Sequence, residues 1–264
     1  MAIITLLTDF KEKDGYSGIM KGIIEGIAPG TRVIDLSHDI HPQDVMEAAY
    51  LLGRSYPYFP PGTIHCCVVD PGVGTSRQGM AARLGKHFFV GPDNGLFSIL
   101  YQDHIQQDDA VSMVALTNPK YRLEKVSNTF HGRDIFAPAA AHLAAGVDLH
   151  ELGESIEQPV LLDLPKPMQD EDEWNGEIIH VDAFGNLSSN IHFPSFSADS
   201  VVRVSLGSLT DIPLMHTFGE AYPGQVVAVI DSFGFLAISV VNGNAALELG
   251  MGHGDQIRVK FLSA

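Results

Sequence analysis

Val68-Val69-Asp70-Pro71-Gly72-Val73-Gly74-Thr75-Ser76-Arg77 is the stretch on which the fold turns. A β-branched, apolar run stops at a carboxylate, turns on two glycines and delivers an arginine. That pattern suits a strand bringing charged groups to the mouth of a parallel sheet. Upstream and downstream of it, strand-like and helix-like periods alternate. Strands are predicted over 3–8, 32–36, 63–69, 80–84 and 87–90. Helices are predicted over about 17–27, 43–55, 96–104 and 134–145. Pro29-Gly30 closes the first helix, Pro42 suits the first turn of the second, and Gly146 ends the last. Strands alternating with helices imply βαβ units and a largely parallel sheet covered on both faces.

The composition then shifts. The stretch from Gly153 to Asn175 holds Pro159, Pro165 and Pro167 and the acidic run Asp170-Glu171-Asp172-Glu173, which reads as a solvated loop. Beyond it the period drops to two, with strands predicted over 177–181, 187–192, 201–206, 225–230, 235–240 and 256–261. No long helical pattern survives there, so a small antiparallel barrel or sandwich is expected. The expected organisation is an α/β N-terminal domain over residues 1–155, a linker over 156–175, and a β domain over 176–264.

The chain has 264 residues, 32 acidic against 16 basic, and a net charge of −16. Such a charge repels a phosphate backbone and argues against nucleic acid as a partner. It does not repel a cationic small ligand, although solubility alone accounts for it equally. No basic n-region precedes the first apolar strand, and no apolar run approaches membrane-spanning length. The two cysteines, Cys66 and Cys67, are adjacent and match no zinc spacing. A cytoplasmic location and no membrane partner are the expectations.

Several motifs fail on inspection. Gly72-x-Gly74 lacks the third glycine of a dinucleotide fingerprint, since Arg77 stands there. Gly74 to Gly79 has P-loop spacing, but Met80 replaces the lysine. Asn186-Leu187-Ser188 is a glycosylation sequon without a secretory signal. Ser37-His38-Asp39-Ile40-His41 offers metal-ligand types, yet such polar runs usually cap or solvate a loop.

Better signals sit at strand ends. Asp9 closes the first strand, where a carboxylate can hold vicinal ribose hydroxyls or simply cap the next helix. Asp70 and Arg77 flank the glycine turn as water-handling groups or as a loop-stiffening ion pair. His131, in Asn128-Thr129-Phe130-His131-Gly132-Arg133-Asp134, opens a helix whose dipole favours a neutral imidazole; the alternatives are a cap or a packed ring. In the second half, Asp182 and Asn186 suit a zwitterionic head group or an ordinary hairpin. Ser232-Phe233-Gly234-Phe235 and Asn242-Gly243-Asn244-Ala245-Ala246 are ligand loops or plain turns. Phe184, Phe218, Phe233 and Phe235 can stack on a base or fill a core.

Together the motifs resemble the S-adenosyl-L-methionine hydroxide adenosyltransferase family, relatives of the bacterial fluorinase and chlorinase. The resemblance runs from Ile4-Thr5-Leu6-Leu7-Thr8-Asp9-Phe10 to Asn242-Gly243-Asn244-Ala245-Ala246. It passes through Val33-Ile34-Asp35-Leu36-Ser37-His38, Asp70-Pro71-Gly72-Val73-Gly74-Thr75, Gly91-Pro92-Asp93-Asn94-Gly95-Leu96, Thr129-Phe130-His131-Gly132-Arg133-Asp134 and Asp182-Ala183-Phe184-Gly185-Asn186-Leu187. It implies a three-layer α/β domain with a mostly parallel sheet, a C-terminal β-barrel, and homotrimers with sites between subunits. It implies hydrolysis of S-adenosyl-L-methionine to adenosine and L-methionine, with no metal and no cofactor, since the sulfonium is already activated. Water handling falls on Asp70, Arg77 and His131, and ribose binding on Asp9. Methionine binding falls on Asp182, Asn186 and Ser232, and Ala245 meets adenine through its backbone. Two departures stand out. Most relatives carry glycine where this chain has Lys11. The halogenases carry another residue, typically tyrosine in the fluorinase, at the position of Asp70, and a halide-contacting serine at that of Gly132. A halide-using synthase and a non-catalytic binding module are the alternatives; the latter has no need of Asp70, Arg77 and His131.

Overall fold

Every side chain of Ile64–Val68 is buried in the computed structural model, as a central parallel strand requires. The structure describes residues 1–192 and 202–261 and divides into two compact units, Met1–Asp163 and Leu164–Ala264. The first unit runs β1 (Ile3–Thr8), α1 (Tyr16–Ile27), β2 (Arg32–Ser37), α2 (Val45–Ser55), β3 (Ile64–Val68), β4 (Gly79–Leu84), β5 (His87–Pro92), α3 (Ser98–Gln106), β6 (Val111–Ala115) and α4 (Ala137–Ala144). Its six strands lie in the order β2-β1-β3-β5-β4-β6. The β2-β1-β3-β5 pairs are parallel, and β4 pairs antiparallel with both β5 and β6.

Alternation along the strands separates two cores. Ile4, Leu6, Ile64, Cys66 and Val68 face one side with Met20 and Ile24 of α1 and Ala140 and Leu143 of α4. Leu7, Cys67 and Val69 face the other with Ala48 and Leu52 of α2 and Leu100 of α3. The result is the three-layer α/β arrangement implied above. Helix α2 starts later than its hydrophobic period suggests. Gln43 adopts a left-handed backbone, φ 68°, and the Asp44 carboxylate caps the helix by accepting from Glu47 N at 2.8 Å. Strand β6 carries no clean alternation and has no counterpart in the sequence reading.

The second unit contains β7 (Met168–Asp170), β8 (Glu173–Val181), β9 (Leu187–His192), β10 (Val202–Leu206), β11 (Leu209–Ile212), β12 (Val226–Ile230), β13 (Phe235–Val240), the short helix α5 (Ala245–Leu249) and β14 (Gln256–Phe261). The strand predicted over 201–206 thus begins at Val202, with Val201 outside the described residues. Its sheet is antiparallel, in the order β11-β10-β14-β8-β9-β13-β12. The chain leaving β11 nearly closes it: Met215 N donates to Ala228 O and Ala228 N to Pro213 O, both at 2.9 Å. Ile178, Leu187, Val204, Ile238 and Ile257 fill the inside of this barrel. The acidic run forms a hairpin turn, with Asp170 paired to Glu173. Among the described residues, no helix is long and apolar enough to cross a membrane.

Candidate active site

Strands β1 and β3 are parallel neighbours, with Thr8 opposite Val68. Their carboxyl ends therefore release Asp9 and Asp70 at one edge of the sheet, where open α/β sheets bind ligands. A cleft of about 330 Å³ opens there, lined by Asp9, Phe10, Tyr16, Asp70, Phe130 and His131 among others.

The loop after β3 folds back onto the segment before α4. Gly74 makes this possible. Its φ is +77°, and a Cβ there would stand 2.3 Å from the Asn128 carbonyl oxygen. The loop then returns Arg77 to Asp70. Arg77 Nε donates to Asp70 Oδ1 at 2.9 Å, and Nη2 donates to Asp70 Oδ2. Nη2 also lies 2.8 Å from His131 Nδ1. Both members of the ion pair are buried, with side-chain exposures of 9% for Arg77 and 6% for Asp70. The guanidinium rests over the Phe136 ring, 5.3 Å from its centre. The three water-handling candidates thus meet in one chain of hydrogen bonds.

That chain has a fixed polarity. Arginine has five donors and no acceptor. His131 Nδ1 must accept from it, so a neutral His131 carries its proton on Nε2. Burial, and then the Arg77 charge, push the His131 pKa below its ordinary value, against the opposing pull of Asp70, the Ser127 backbone and Asp134. The helix entrance expected at His131 is a π-helical turn, Gly132–Phe136, that runs into α4. Such turns cluster at functional sites. Asp134, fully buried, pins this segment by accepting from Ser127 N at 2.8 Å and Arg133 Nε at 2.6 Å.

Asp9 does not cap α1, whose N-cap is Gly15 with no side-chain bond. Its Oδ2 instead accepts from Gln43 N at 2.8 Å, leaving further acceptor capacity on the carboxylate. Phe10, Tyr16 and Phe130 form an edge-to-face aromatic cluster, with ring centres 5.0–5.7 Å apart. Tyr16 and the Gln43 backbone are cleft-lining features that the sequence reading did not single out. A left-handed glutamine carries no recognisable signature.

In the second unit, Asp182 builds its own turn. Oδ1 accepts from Phe184 N and Asn186 N, both at 2.9 Å, and Oδ2 from Asn186 Nδ2 at 2.8 Å. Ala245 is buried at the start of α5. Ala246 N donates to Gly185 O at 3.0 Å, and a Cβ on Gly185 would clash with Asn244. Asp182, Asn186 and Ala245 therefore belong to one local structure. Ser232 is exposed on a different turn, where Asp231 Oδ1 accepts from Phe233 N and Phe235 N at 2.9 Å. Phe184 is 77% exposed and free to meet a ligand, whereas Phe235 packs edge-on against His192.

Residues 4–153 match the model of the SAM hydroxide adenosyltransferase N-terminal domain, and residues 176–258 that of its C-terminal domain. The chain belongs to the SAM hydroxide adenosyltransferase family. It is 38% identical over 258 residues to an (R)-S-adenosyl-L-methionine hydrolase of Salinispora tropica, covering 97% of each chain. It is 36% identical over 267 residues to one of Thermus thermophilus, covering 98% of this chain and 100% of that one. A fluorinase of Actinoplanes sp. is 28% identical over 272 residues, covering 90% of each. Among solved structures, a conserved protein of Thermotoga maritima is similar with a TM-score of 0.89 at 36% identity, covering 97% of this chain and 99% of that one.

Lys11, which the resemblance sets apart, has an unusual backbone. Lys11 has φ 56°, a conformation that favours glycine. Its amide donates to His38 O at 2.8 Å, and its Nζ reaches Asp39 Oδ1 at 2.6 Å and Ile40 O at 3.0 Å.

Proposed function

We infer that the protein hydrolyses S-adenosyl-L-methionine to adenosine and L-methionine. The observation that carries this reading is the continuous Asp70–Arg77–His131 chain at a cleft whose wall also presents Asp9. A module that only binds a nucleoside has no use for a buried, polarised acid–cation–imidazole array. The names of the family's hydrolases support the same substrate.

The chemistry follows from the substrate. Water attacks the ribose C5′ in line with the C–S bond, and the bonding pair leaves with sulfur. The sulfonium becomes a neutral thioether, so excluding bulk water favours the transition state. Holding the water in line supplies the entropic share. The attacking oxygen must also lose a proton. Arg77 has no acceptor, and His131 Nδ1 is occupied by Arg77. Asp70 lines the cleft and keeps lone pairs beyond its two arginine bonds, so we assign the proton to its carboxylate, and from there to solvent. His131 and Arg77 hold that carboxylate in place. No metal enters this scheme, because the leaving group arrives activated.

Asp9 is assigned to the ribose hydroxyls, with the Gln43 amide fixing its far oxygen. The aromatic faces of Phe10, Tyr16 and Phe130 suit a cationic sulfonium. Asp182, Asn186 and Ser232 are assigned to the methionine head group and the Ala245 backbone to adenine. These groups lie in the second unit and the water-handling groups in the first. We therefore propose a homotrimer whose sites pair the first unit of one subunit with the second unit of its neighbour. With two cysteines that face opposite layers the chain carries no disulfide framework, and on that composition we propose a cytoplasmic setting.

A halide-using reaction has weaker support. The fluorinases are 24–28% identical, the hydrolases 31–38%. Gly132 offers no hydroxyl to replace a halide's hydration shell, and Asp70 repels an anion. Incubating the purified protein with S-adenosylmethionine, with and without high chloride or fluoride, tests the assignment. Chromatography and mass spectrometry should find adenosine and methionine under all conditions, with chelator present. A 5′-halo-5′-deoxyadenosine matching adenosine would replace hydrolysis with halogenation. No turnover at all would leave a binding module.

A further inference from the structure

His38 is buried, with a side-chain exposure of 4%, and does not line the cleft. Its two ring nitrogens are nonetheless both engaged. Nε2 lies 3.0 Å from Asp35 Oδ1, and Nδ1 lies 2.8 Å from Thr8 Oγ1. Asp35 Oδ2 receives Lys21 Nζ at 2.6 Å, an ion pair half exposed at the surface. A carboxylate paired with lysine offers only acceptors, so Nε2 carries the imidazole proton. In the neutral ring Nδ1 is then the acceptor, and the Thr8 hydroxyl donates to it. That leaves the Thr8 oxygen free to accept, and Phe10 N donates to it at 3.2 Å. The bonds run one way, from the Phe10 amide through Thr8 and His38 to the Asp35–Lys21 pair.

Asp9 sits between the two ends of the Thr8–Phe10 bond. A hydroxyl accepting from the amide two residues on restricts the backbone of the residue between them. The His38 carbonyl also accepts Lys11 N at 2.8 Å. One residue of the β2 exit loop thus brackets the β1 exit on both sides of Asp9, by side chain at Thr8 and by backbone at Lys11. The Asp9 carboxylate then meets the Gln43 amide at the cleft.

We propose that His38 is a positioning residue for nucleoside binding: through the Thr8 hydroxyl it fixes the backbone at Asp9, and with it the direction in which that carboxylate faces the cleft. The ligand part of this proposal rests on the reading of Asp9 as the ribose-binding group.

Three substitutions separate the bonds. His38→Leu keeps apolar bulk and removes both. His38→Asn retains an acceptor near the place of Nδ1 and loses Asp35. His38→Gln reaches Asp35 and loses Thr8. His38→Leu should raise the Kd for adenosine and the KM for S-adenosylmethionine roughly tenfold, the effect of losing one ordering hydrogen bond. Its kcat should stay within about twofold, because Asp70, Arg77 and His131 are carried by other segments. His38→Asn should recover most of the affinity and His38→Gln should not. In the ligand-free protein, amide hydrogen exchange at Phe10 should quicken in the Leu and Gln variants and stay slow in the Asn variant. Thr8→Val removes the hydroxyl at equal volume and should reproduce the Leu result, which keeps the test decisive if a His38 variant fails to fold. Equal affinities for Leu and Asn, or a fall in kcat at constant KM, would overturn the proposal. So would Phe10 exchange that does not change. If the unaltered protein binds no adenosine while Phe10 exchange responds as described, the ribose assignment fails and the positioning of Asp9 stands.

Discussion

Arg77 can only donate, and this single property orders the chemistry around it. It takes the lone pair of His131 Nδ1 and two acceptor positions of Asp70. On the reading proposed above, histidine in this setting is an acceptor that steadies a cation rather than a base that collects a proton. The distinction is measurable. His131→Asn places an amide oxygen where Nδ1 stood, and should keep Arg77 in register. Its kcat should fall roughly tenfold, against roughly 10²-fold or more for His131→Ala, which leaves a buried guanidinium short of a partner. Equal losses in the two variants would return the proton to His131. Asp70, Arg77 and His131 stand out in the sequence as candidates, since acid, cation and imidazole flank glycine turns, and the structure brings the three together. The direction of their bonds is not legible there, because polarity depends on which atoms meet. Gln43 was invisible for a related reason: it contributes a backbone amide in a left-handed conformation, and its side chain says nothing of either.

Elements bring those residues together through backbone contacts that the hydrophobic period does not record. The central strands and the helices α1 to α4 were readable, because burial on one or two faces sets an unmistakable period. The π-helical turn at Gly132–Phe136 straddles the expected helix start at 134 and reads in sequence as loop and then ordinary helix, since one extra residue per turn leaves the apolar pattern nearly intact. Strands β6, β7 and β11 were missed because each is short and draws its stability from pairing with a neighbour rather than from its own alternation. The docking of the Asp70–Arg77 loop on Asn128 depends on the absence of a side chain at Gly74. An alanine there would place Cβ 2.3 Å from a backbone oxygen while keeping a positive φ. Gly74→Ala should therefore push the loop off the segment that carries His131. We expect kcat to fall roughly 10²-fold, as for misplacement by about 1 Å, with a stability loss of roughly 2 kcal/mol. Denaturant titration and steady-state kinetics measure the two separately. Loss of stability with full kcat would mean that the contact matters for folding alone.

At the scale of the whole molecule one property and one proposal remain that no single element reveals. The first is acid sensitivity built into the first unit. His65 stacks on Phe89, bonds Thr5 at 2.8 Å and faces His87, Tyr56 and Phe59. Burial, and then His87, lower its pKa from 6.5 to about 3. The unfolded chain therefore binds a proton that the folded chain refuses, so stability falls as pH drops below 6.5 and goes on falling to about 3. Each pH unit in that window removes roughly 1.4 kcal/mol. His65→Gln should flatten the urea-denaturation profile between pH 6.5 and 4.5 by about one proton, and parallel profiles would contradict the burial argument. The second is a proposal, the sharing of sites between subunits. If each site joins the first unit of one subunit to the second unit of its neighbour, two dead variants can repair each other. His131→Ala spoils one half of a site and Asp182→Ala the other. Co-expressed in equal amounts and assembled at random, three in four trimers are mixed, and each mixed trimer holds one intact site of three. About a quarter of the unaltered activity should return, the chance that an intact first unit meets an intact second unit in any closed ring assembled at random, so light scattering is what assigns the trimer. Sites formed within one subunit can never be repaired this way, because every subunit then carries one spoiled half. Recovery near a quarter, with a trimer by light scattering, fits the shared site; an active monomer or no recovery from a mixed trimer removes it.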